Sequence, residues 1–170
     1  MIRHSLLLGC VLALSGMLFA QEPTVKVEPP DLHGSRALEP QTATAVVRDY
    51  LQAWQSLRSA LDQNQASLLN NDFIGTAQSK LSETIADQAK AGIHTRYQDR
   101  SHDLQVIFYS PEGGSIQMTD NISYDEQVFG KDKVLTTQAI QTRYLVVMTP
   151  SEGRWRVRIL QADPQTVSEK

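Results

Sequence analysis

The chain has 170 residues, of which 21% are charged and 41% hydrophobic, and its formal net charge is −3 at pH 7. Because general nucleic-acid binding requires a basic face that attracts phosphate, this mildly acidic composition argues against it. The length corresponds to one domain.

Residues 1–20 have the composition of a secretory signal peptide. Arg3 and His4 form a short positive start, residues 6–19 are an almost unbroken apolar run, and Ala20 ends the run with a small side chain. This order predicts cleavage after Ala20 and a secreted or periplasmic protein. The run is shorter than the stretch of about 20 apolar residues that spans a bilayer.

Two alternatives for the N-terminus remain open. The sequence Leu7-Leu8-Gly9-Cys10 resembles a lipoprotein cleavage box, in which Cys10 would carry the lipid. An uncleaved leader would instead anchor the protein in a membrane. With the leader removed, 150 residues remain with a net charge of −4 and no cysteine, so the mature chain forms no disulfide and no thiolate metal site.

The rest of the chain divides into three segments. Residues 21–41 are expected to form an extended linker, because they are rich in proline and poor in apolar residues. A binding motif around Pro29 and Pro30 is the alternative to a spacer role. The folded domain is predicted at residues 42–162, and a polar tail at residues 163–170.

The first half of the domain has helical periodicity. Apolar side chains recur every three or four residues after Thr44. They are Val47, Tyr50, Leu51, Trp54, Leu57 and Leu61. This helix either continues through Leu68 or breaks near Asn64. A second helix is predicted from Gly75 to Gly92, with a narrow apolar stripe.

After Gly92 the pattern changes to the alternation that is typical of strands. Strands are predicted at about 104–109, 116–129, 134–149 and 155–159, with short connections that contain Gly or Pro. Helices followed by four such strands predict an α+β domain, in which the helices pack on one face of a four-stranded antiparallel sheet.

Three short motifs carry a resemblance to known proteins. They are Tyr50 and Trp54 in the first helix, Gly92-Ile93-His94-Thr95-Arg96-Tyr97 leading to Leu104 and Val106, and Arg154-Trp155-Arg156-Val157. In these, residues 42–162 resemble the nuclear-transport-factor-2-like (SnoaL-like) superfamily, and within it are similar to the small IMS-type domain. The resemblance implies a cone, with N-terminal helices over a curved sheet. Since that superfamily includes isomerases, dehydratases, hydrolases and binding or dimerisation modules, the fold does not decide the function.

The candidate catalytic residues lie on the two long strands. Asp120 has the same parity as Met118 and Ile122, which are expected to face the helices. A carboxyl group on that face would have a raised pKa and could act as a general base, with hydroxyl donors from Tyr124 and Tyr144. The alternative is a β-bulge at residues 119–121 that turns Asp120 to solvent.

We expect no metal site and no cofactor. His94 and His102 fall in the predicted connection between residues 92 and 103, without an acidic partner at ligand spacing. His94 is expected to pack or hydrogen-bond at the mouth of the helix–sheet wedge, with a binding role as the alternative. Gly113-Gly114 lies between two strands, which indicates a hairpin and not a phosphate loop.

Two surfaces could bind partners. Arg143, Arg154, Arg156 and Arg158 could bind an anionic ligand or an acidic protein, or could be solvated and paired with acidic residues across the strands. The outward-facing positions of the sheet are also apolar, which predicts a homodimer. These positions are Ile107, Tyr109, Leu145 and Val147.

Taken together, the residues favour a non-enzymatic extracytoplasmic module that binds a protein or a small apolar ligand. The alternative is a small isomerase-like or hydrolase-like enzyme with Asp120 as its general base. A cone filled by large aromatic residues would support the module, because an enzyme of this type needs a pocket of some hundreds of Å³. The aromatic residues are Trp54, Phe108, Tyr144 and Trp155.

Overall fold

The computed structural model describes residues 22–34, 36–131 and 133–163. The predicted signal peptide, with Cys10, lies outside the described residues, and so do residues 164–170 of the predicted polar tail. Within the described ranges, no helix is both long and apolar enough to cross a bilayer.

Two α-helices and a short 3-10 helix precede most of the sheet. Helix α1 spans Pro40–Gln63 and helix α2 spans Gly75–Lys90, with the 3-10 helix at Ala66–Leu69 between them. Helix α1 ends because Asn64 adopts a left-handed backbone conformation with φ of 53°. The predicted alternative of a break near Asn64 is therefore confirmed.

In the part of the chain that the structure describes, five strands form one sheet in the order β1-β2-β3-β4-β5. Their bounds are Thr24–Val27 (β1), Ile93–Tyr109 (β2), Ile116–Gly130 (β3), Lys133–Ser151 (β4) and Arg154–Ala162 (β5). Strands β2 to β5 pair antiparallel, as predicted, whereas β1 pairs parallel with β2. The predicted four-stranded antiparallel sheet is therefore corrected to a five-stranded mixed sheet.

The additional strand β1 comes from the segment that we predicted as a linker. Val25 and Val27 alternate with Thr24 and Lys26, but the linker prediction followed the prolines around these four residues and missed this short strand signal. All four residues are exposed. Backbone hydrogen bonds hold this segment along β2, including those from the Glu28 N–H to Leu104 O (2.8 Å) and from the His33 N–H to Ile107 O (2.9 Å).

The hydrophobic core lies between α1 and the inner face of the sheet. Val46, Tyr50 and Leu57 from α1 are buried, as are Met118 on β3 and Met148 on β4. Fully burying a large apolar side chain contributes about 1.5–3 kcal/mol, so this layer is the main stabilising contact of the fold. It leaves the polar inner face of β2 beside α1, where the candidate site lies.

Candidate functional site

Asp120 lies near the middle of β3 with its side chain fully buried. Its neighbours of the same parity, Met118 and Ile122, are also buried, which confirms the predicted inner face. The alternative of a bulge at residues 119–121 is wrong, since these residues pair in unbroken register with both β2 and β4. A buried carboxylate requires hydrogen-bonding partners, and two lie close to it.

Tyr50 and His102 share one oxygen of Asp120. The Tyr50 hydroxyl donates a hydrogen bond to Asp120 Oδ2 at 2.7 Å, and His102 Nδ1 lies 2.7 Å from the same oxygen. The hydroxyl group that donates to Asp120 is therefore that of Tyr50 on helix α1. We had predicted Tyr124 and Tyr144 as the donors.

A second carboxylate, Asp99, lies on the other side of the His102 ring. His102 Nε2 is 3.9 Å from Asp99 Oδ2. Trp54 Nε1 donates to Asp99 Oδ1 at 3.0 Å, and Arg58 donates to Asp99 Oδ2 at 2.7 Å. Tyr50, Trp54, Arg58, Asp99, His102 and Asp120 are called the buried polar cluster below.

An irregularity in β2 brings Asp99 and His102 together. Residues three apart on a regular strand face opposite sides of the sheet. The pairing of β2 with β3 shifts between Asp99 and Ser101, so Arg100 is an extra residue and both side chains face α1. Arg100 forms an ion pair with Asp125, at 2.6 Å, on the more exposed side of the sheet.

Sequence reasoning missed this cluster because it placed His102 in a connection. Strand β2 in fact begins at Ile93. Its early inward-facing positions are polar, including Thr95, Asp99 and His102, so the apolar alternation starts only at Leu104. The alternation of inward and outward positions could have been extended from Leu104 back through the polar residues to identify the inward-facing ones. The extra residue Arg100 interrupts this alternation, so the extension would have failed at Asp99.

The environment of His102 keeps its imidazole protonated. Burial lowers the pKa of His102, but the hydrogen bond with Asp120 and the negative charges of Asp120 and Asp99 outweigh burial and raise the pKa to about 9. Its side chain is only 1% exposed.

The pKa values of two neighbouring residues are also shifted, downward for Asp99 and upward for Tyr50. Burial raises the pKa of Asp99, but the nearby protonated His102, the hydrogen bond from Trp54 and the charge of Arg58 together hold it below its usual value. Burial and the adjacent Asp120 carboxylate raise the pKa of Tyr50 well above its usual value. Tyr50 therefore remains a neutral hydrogen-bond donor at physiological pH.

Aromatic side chains fill the part of the cone beside the cluster. The Trp54 ring packs against Tyr97, Tyr124 and Tyr144, with centroid distances of 6.2, 6.0 and 5.8 Å. Burial raises the pKa of the Tyr124 and Tyr144 hydroxyls. Of the other predicted filling residues, Trp155 packs edge-on against Tyr109 at 6.4 Å.

Phe108 does not fill the cone. It lies beside Gly34 and pairs with Gln117, and the register shift between Val106 and Phe108 turns it to the outer side of the sheet.

A cavity of about 750 Å³ opens between α1 and β2, next to the buried polar cluster. We call it the α1–β2 cavity. Its lining includes Leu51, Trp54, Gln55, Arg58, Ser59, Asp62 and Gln63 from α1, Arg96, Tyr97, Gln98, Asp99 and His102 from β2, and Glu22, Pro23 and Val25 from the N-terminal segment. Of the titratable acid and histidine residues in the buried polar cluster, His102 and Asp99 belong to this described lining and Asp120 does not. Most of the other lining side chains are exposed or half-buried, so this cavity is an open groove at the edge of the cone and not a void among the aromatic side chains inside it.

Ion pairs flank the α1–β2 cavity. Arg58 pairs with Asp99 at 2.7 Å, and Arg96 Nε lies 3.2 Å from an oxygen of Asp62. Asp62 also lies 3.0 Å from His94 Nδ1, and the His94 ring stacks on Phe129 at a centroid distance of 4.8 Å. His94 therefore packs and hydrogen-bonds where α1 ends over the sheet.

The outer face of the sheet has a smaller cavity of about 310 Å³, lined by Ile107, Thr119, Arg143, Leu145, Gln161, Ala162 and Asp163. Of the predicted dimer-face residues, Ile107 and Leu145 lie here, and Val147 pairs with Ile159 on the same face. Tyr109 does not: it is buried in the core, because the register shift between Val106 and Phe108 reverses its direction.

The four arginines that we predicted as one binding surface have different neighbours in the structure. Arg154 pairs with the buried Asp72 at 2.8 Å, and Arg156 pairs with Glu152. Arg158 is exposed beside Gly75 at the start of α2, and Arg143 lines the outer cavity. One reason for this division is a register shift between β4 and β5 at Val147 and Met148.

No group of three or more His, Cys, Asp or Glu side chains within residues 22–34, 36–131 and 133–163 is arranged to hold a metal ion. The buried polar cluster has two carboxylates and one imidazole, but the imidazole Nδ1 already lies 2.7 Å from Asp120 Oδ2.

No protein-family profile and no curated protein matches this sequence. Solved structures do match. The intermembrane-space region of the chloroplast protein ARC6 superposes with a TM-score of 0.60 at 13% identity, covering 75% of this chain and 98% of that one. A protein assigned as a scytalone dehydratase from Novosphingobium aromaticivorans gives 0.50 at 10% identity, covering 74% and 89%. Aln2 from a Streptomyces species gives 0.50 at 12% identity, covering 78% and 98%.

These likenesses concern the fold. The chain has the nuclear-transport-factor-2-like fold, and the resemblance found in the sequence, including that to the IMS-type domain, is confirmed at this level.

Proposed function

We propose that this protein is a non-enzymatic module that binds a small ligand in the α1–β2 cavity. The observation that carries the proposal is the cavity itself, about 750 Å³ in volume, beside a buried polar cluster whose groups are bonded to one another. Binding sites for small molecules usually measure about 300–1,000 Å³ and combine apolar walls with a few polar groups.

The lining defines the kind of ligand that would fit. Leu51, Trp54 and Tyr97 provide apolar and aromatic surface, and the charged pairs Arg58–Asp99 and Arg96–Asp62 provide polar groups. This combination favours a small molecule with an apolar, planar body and a polar group at one end. Such a ligand would pack on Trp54 while its polar end contacts the charged pairs.

The state of His102 argues against a general-base role for it at neutral pH. A general base must be unprotonated and within hydrogen-bond reach of its substrate. His102 has a pKa of about 9, so it is already protonated, and its Nδ1 lies 2.7 Å from Asp120. Both oxygens of Asp99 accept hydrogen bonds from protein donors. The cluster therefore supports a structural role, in which it fastens α1 to β2 and β3.

A second candidate function is a small isomerase-like, dehydratase-like or hydrolase-like enzyme. One observation favours it: Asp120 Oδ1 is buried without a hydrogen-bond partner among the described residues, and His102 lines the cavity. In such an enzyme, protonated His102 would act as the acid and Asp120 would orient it, in place of the base role predicted for Asp120. The fold is shared by a protein assigned as a dehydratase and by the ARC6 region, so it is compatible with either function.

A fluorescent probe tests the binding function. Anilinonaphthalene sulfonate has an aromatic body and one anionic group, so it matches the expected ligand chemistry. Gln55 is exposed and lines the cavity, so Gln55→Trp should block the cavity with little effect on folding. Gln52 is also exposed on α1 but does not belong to the described lining, so Gln52→Trp is the matched control.

We expect the native protein and Gln52→Trp to bind the probe alike, and Gln55→Trp to bind it at least about fivefold more weakly. Equal binding by both variants would refute a site in this cavity. Turnover in a screen of hydrolase, dehydratase and isomerase substrates, lost in His102→Gln and kept in Gln52→Trp, would support the enzyme in place of the module.

Two further parts of the proposal rest on the sequence. The predicted leader supports a secreted or periplasmic location, which N-terminal sequencing of the exported product tests directly, with Gln21 as the expected first residue. The apolar outer positions Ile107, Leu145 and Val147 support a homodimer formed through the outer face of the sheet.

A further inference from the structure

Much of β4 has a neighbouring strand on one side only. Strand β3 pairs with β4 from Lys133 to Met148, whereas β5 pairs with it only from Tyr144 to Ser151. Among the described residues, no strand pairs with the other side of residues 133–142. This segment is called the β4 edge.

The hydrogen bond at the end of β5 shows which backbone groups the β4 edge presents. The Asp163 N–H donates to Arg143 O at 2.7 Å, so the Arg143 carbonyl points to the side on which β5 lies. Backbone groups of a strand repeat every two residues. The N–H and C=O groups of Gln141, Ala139 and Thr137 therefore point to the same side, where no strand of the described residues pairs with them.

The side chains of the β4 edge do little to prevent strand pairing. Residues 134–142 contain no charge, no proline and no glycine, and residues 133–139 are all exposed. Val134 and Leu135 are 51% and 61% exposed. Proteins usually protect such edges with charges, prolines or bulges. Here one register shift at Leu135 leaves residues 136–142 regular, and the charges lie only at the ends.

We propose that the β4 edge binds an extended segment of a partner protein, which adds a sixth strand to the sheet. Backbone hydrogen bonds would supply the affinity, as in other cases of strand addition. Lys131 and Lys133 lie at one end of the edge and Arg143 lies at the other. Because residues 134–142 between them carry no charge, the partner segment is uncharged at its centre and acidic at its ends.

The same charges argue against a second copy of this chain as the occupant. An antiparallel pair that used the whole edge would be centred on Gln138 and would place Lys133 of one copy opposite Arg143 of the other. Like charges directly opposite one another destabilise a strand pair. An acidic partner segment reverses this interaction.

One substitution removes a donor from the edge and leaves the pairing with β3 intact. Ala139→Pro deletes an N–H that points away from β3, which is the kind of position where a strand tolerates proline. Ala139→Val also enlarges this exposed side chain but keeps the N–H, so it is the matched control.

The probe is a fluorescein-labelled synthetic nonapeptide of alternating threonine and valine with glutamate at both ends. It is titrated against the protein purified after expression of the full chain, with anisotropy as the signal. We expect the Kd to rise at least about tenfold for Ala139→Pro and to change less than about twofold for Ala139→Val. A version of the peptide with lysine at both ends should bind at least about fivefold more weakly than the acidic peptide.

A second measurement does not depend on a variant. Amide hydrogen exchange at Thr137, Ala139 and Gln141 should slow when the acidic peptide is added to the unmodified protein. Absence of both this protection and an anisotropy change, or equal binding of the acidic and basic peptides, would overturn the inference. Two other results would also overturn it. A native dimer that Ala139→Pro converts to monomer would identify a second copy of this chain as the occupant of the β4 edge. Peptide binding only after removal of residues 164–170 would identify those residues as the occupant.

Discussion

His102 and Asp120 form a buried pair, in which the imidazole Nδ1 lies 2.7 Å from the carboxylate Oδ2 and the side chains are 1% and 0% exposed. They come from neighbouring strands, and Tyr50 from α1 bonds the same oxygen. The pair thus joins three elements inside the cone. Removing one partner of a buried charge pair costs about 3–5 kcal/mol, because the other charge is left without compensation.

The first prediction concerns the stability that this pair provides. Asp120→Asn removes the negative charge next to protonated His102, so we expect it to lower the free energy of unfolding by at least about 3 kcal/mol. Urea denaturation followed by circular dichroism measures this change. The matched control is Asp125→Asn, which disrupts the more exposed pair with Arg100 and should cost no more than about 1 kcal/mol. Equal losses in the two variants would contradict a stabilising buried pair.

The second prediction concerns the pH dependence of stability. The charges around His102 are Asp120 on β3, Asp99 on β2 and Arg58 on α1, with the neutral Tyr50 hydroxyl nearby. They raise the pKa of His102 to about 9 in the folded protein, whereas an unfolded His has a pKa of about 6.5.

Because the folded-state pKa is the higher one, this stabilisation is fully present below pH 6.5 and is lost as the pH rises through 9. The loss amounts to at most about 3 kcal/mol. NMR titration of the His102 ring and urea denaturation at several pH values measure the two effects. His102→Gln should abolish this dependence, whereas His94→Gln should preserve it. A His102 pKa near 6.5 would show that the two carboxylates do no more than offset the effect of burial, and would contradict this prediction.

The third prediction concerns assembly through the outer face of the sheet. Val147→Lys places a charge among Ile107, Leu145 and Ile159, so it should convert the proposed dimer into a monomer. Sedimentation velocity measures the change, with Gln52→Lys on the exposed side of α1 as the control for an added charge. A dimer that survives Val147→Lys would exclude this interface, and a native monomer would exclude the dimer.

The fourth prediction concerns the end of helix α1. The Asn64 side chain donates to Ile93 O at 2.8 Å and accepts from Gln88 at 2.6 Å, and its backbone is left-handed. Asn64→Gly loses the two side-chain bonds but tolerates the backbone, whereas Asn64→Ala loses the bonds and adds a backbone cost of about 1–2 kcal/mol. Thermal denaturation should therefore rank the native protein above Asn64→Gly and Asn64→Ala last. The reverse order of the two variants would show that the backbone conformation is not the determining factor.

The elements that sequence reasoning found are those with regular apolar periodicity. The stripe of α1 and the alternation in β3 correspond to real buried faces, and the parity of Asp120 on β3 followed from its neighbours Met118 and Ile122. The cone resemblance rested on the order of helices and strands, on Tyr50 and Trp54 in α1, on the stretch from Gly92 to Tyr97, and on the closing strand. Strand β1 was missed although Val25 and Val27 alternate with Thr24 and Lys26, because the pattern covers only four residues in a proline-rich segment. It is exposed and joins the sheet through its backbone.

Several side chains were predicted to face the wrong side of the sheet, because single extra residues in the strands reverse the alternation of faces. Arg100 brings Asp99 and His102 to one face, and the shift at Ile107 turns Tyr109 into the core. A two-residue pattern cannot show such a shift in advance, because the backbone pairing and not the side-chain sequence determines where it occurs. The buried polar cluster depends on the first of these shifts, so only the structure reveals it.

Native mass spectrometry of the protein, purified without denaturation after expression of the full chain, tests ligand binding in the α1–β2 cavity most directly. We expect a small molecule to remain bound to the unmodified protein and to Gln52→Trp, and to be absent from Gln55→Trp, whose new side chain occupies the cavity. An unmodified protein that carries no small molecule and binds no anilinonaphthalene sulfonate, or a bound molecule that Gln55→Trp retains in full, would contradict the account.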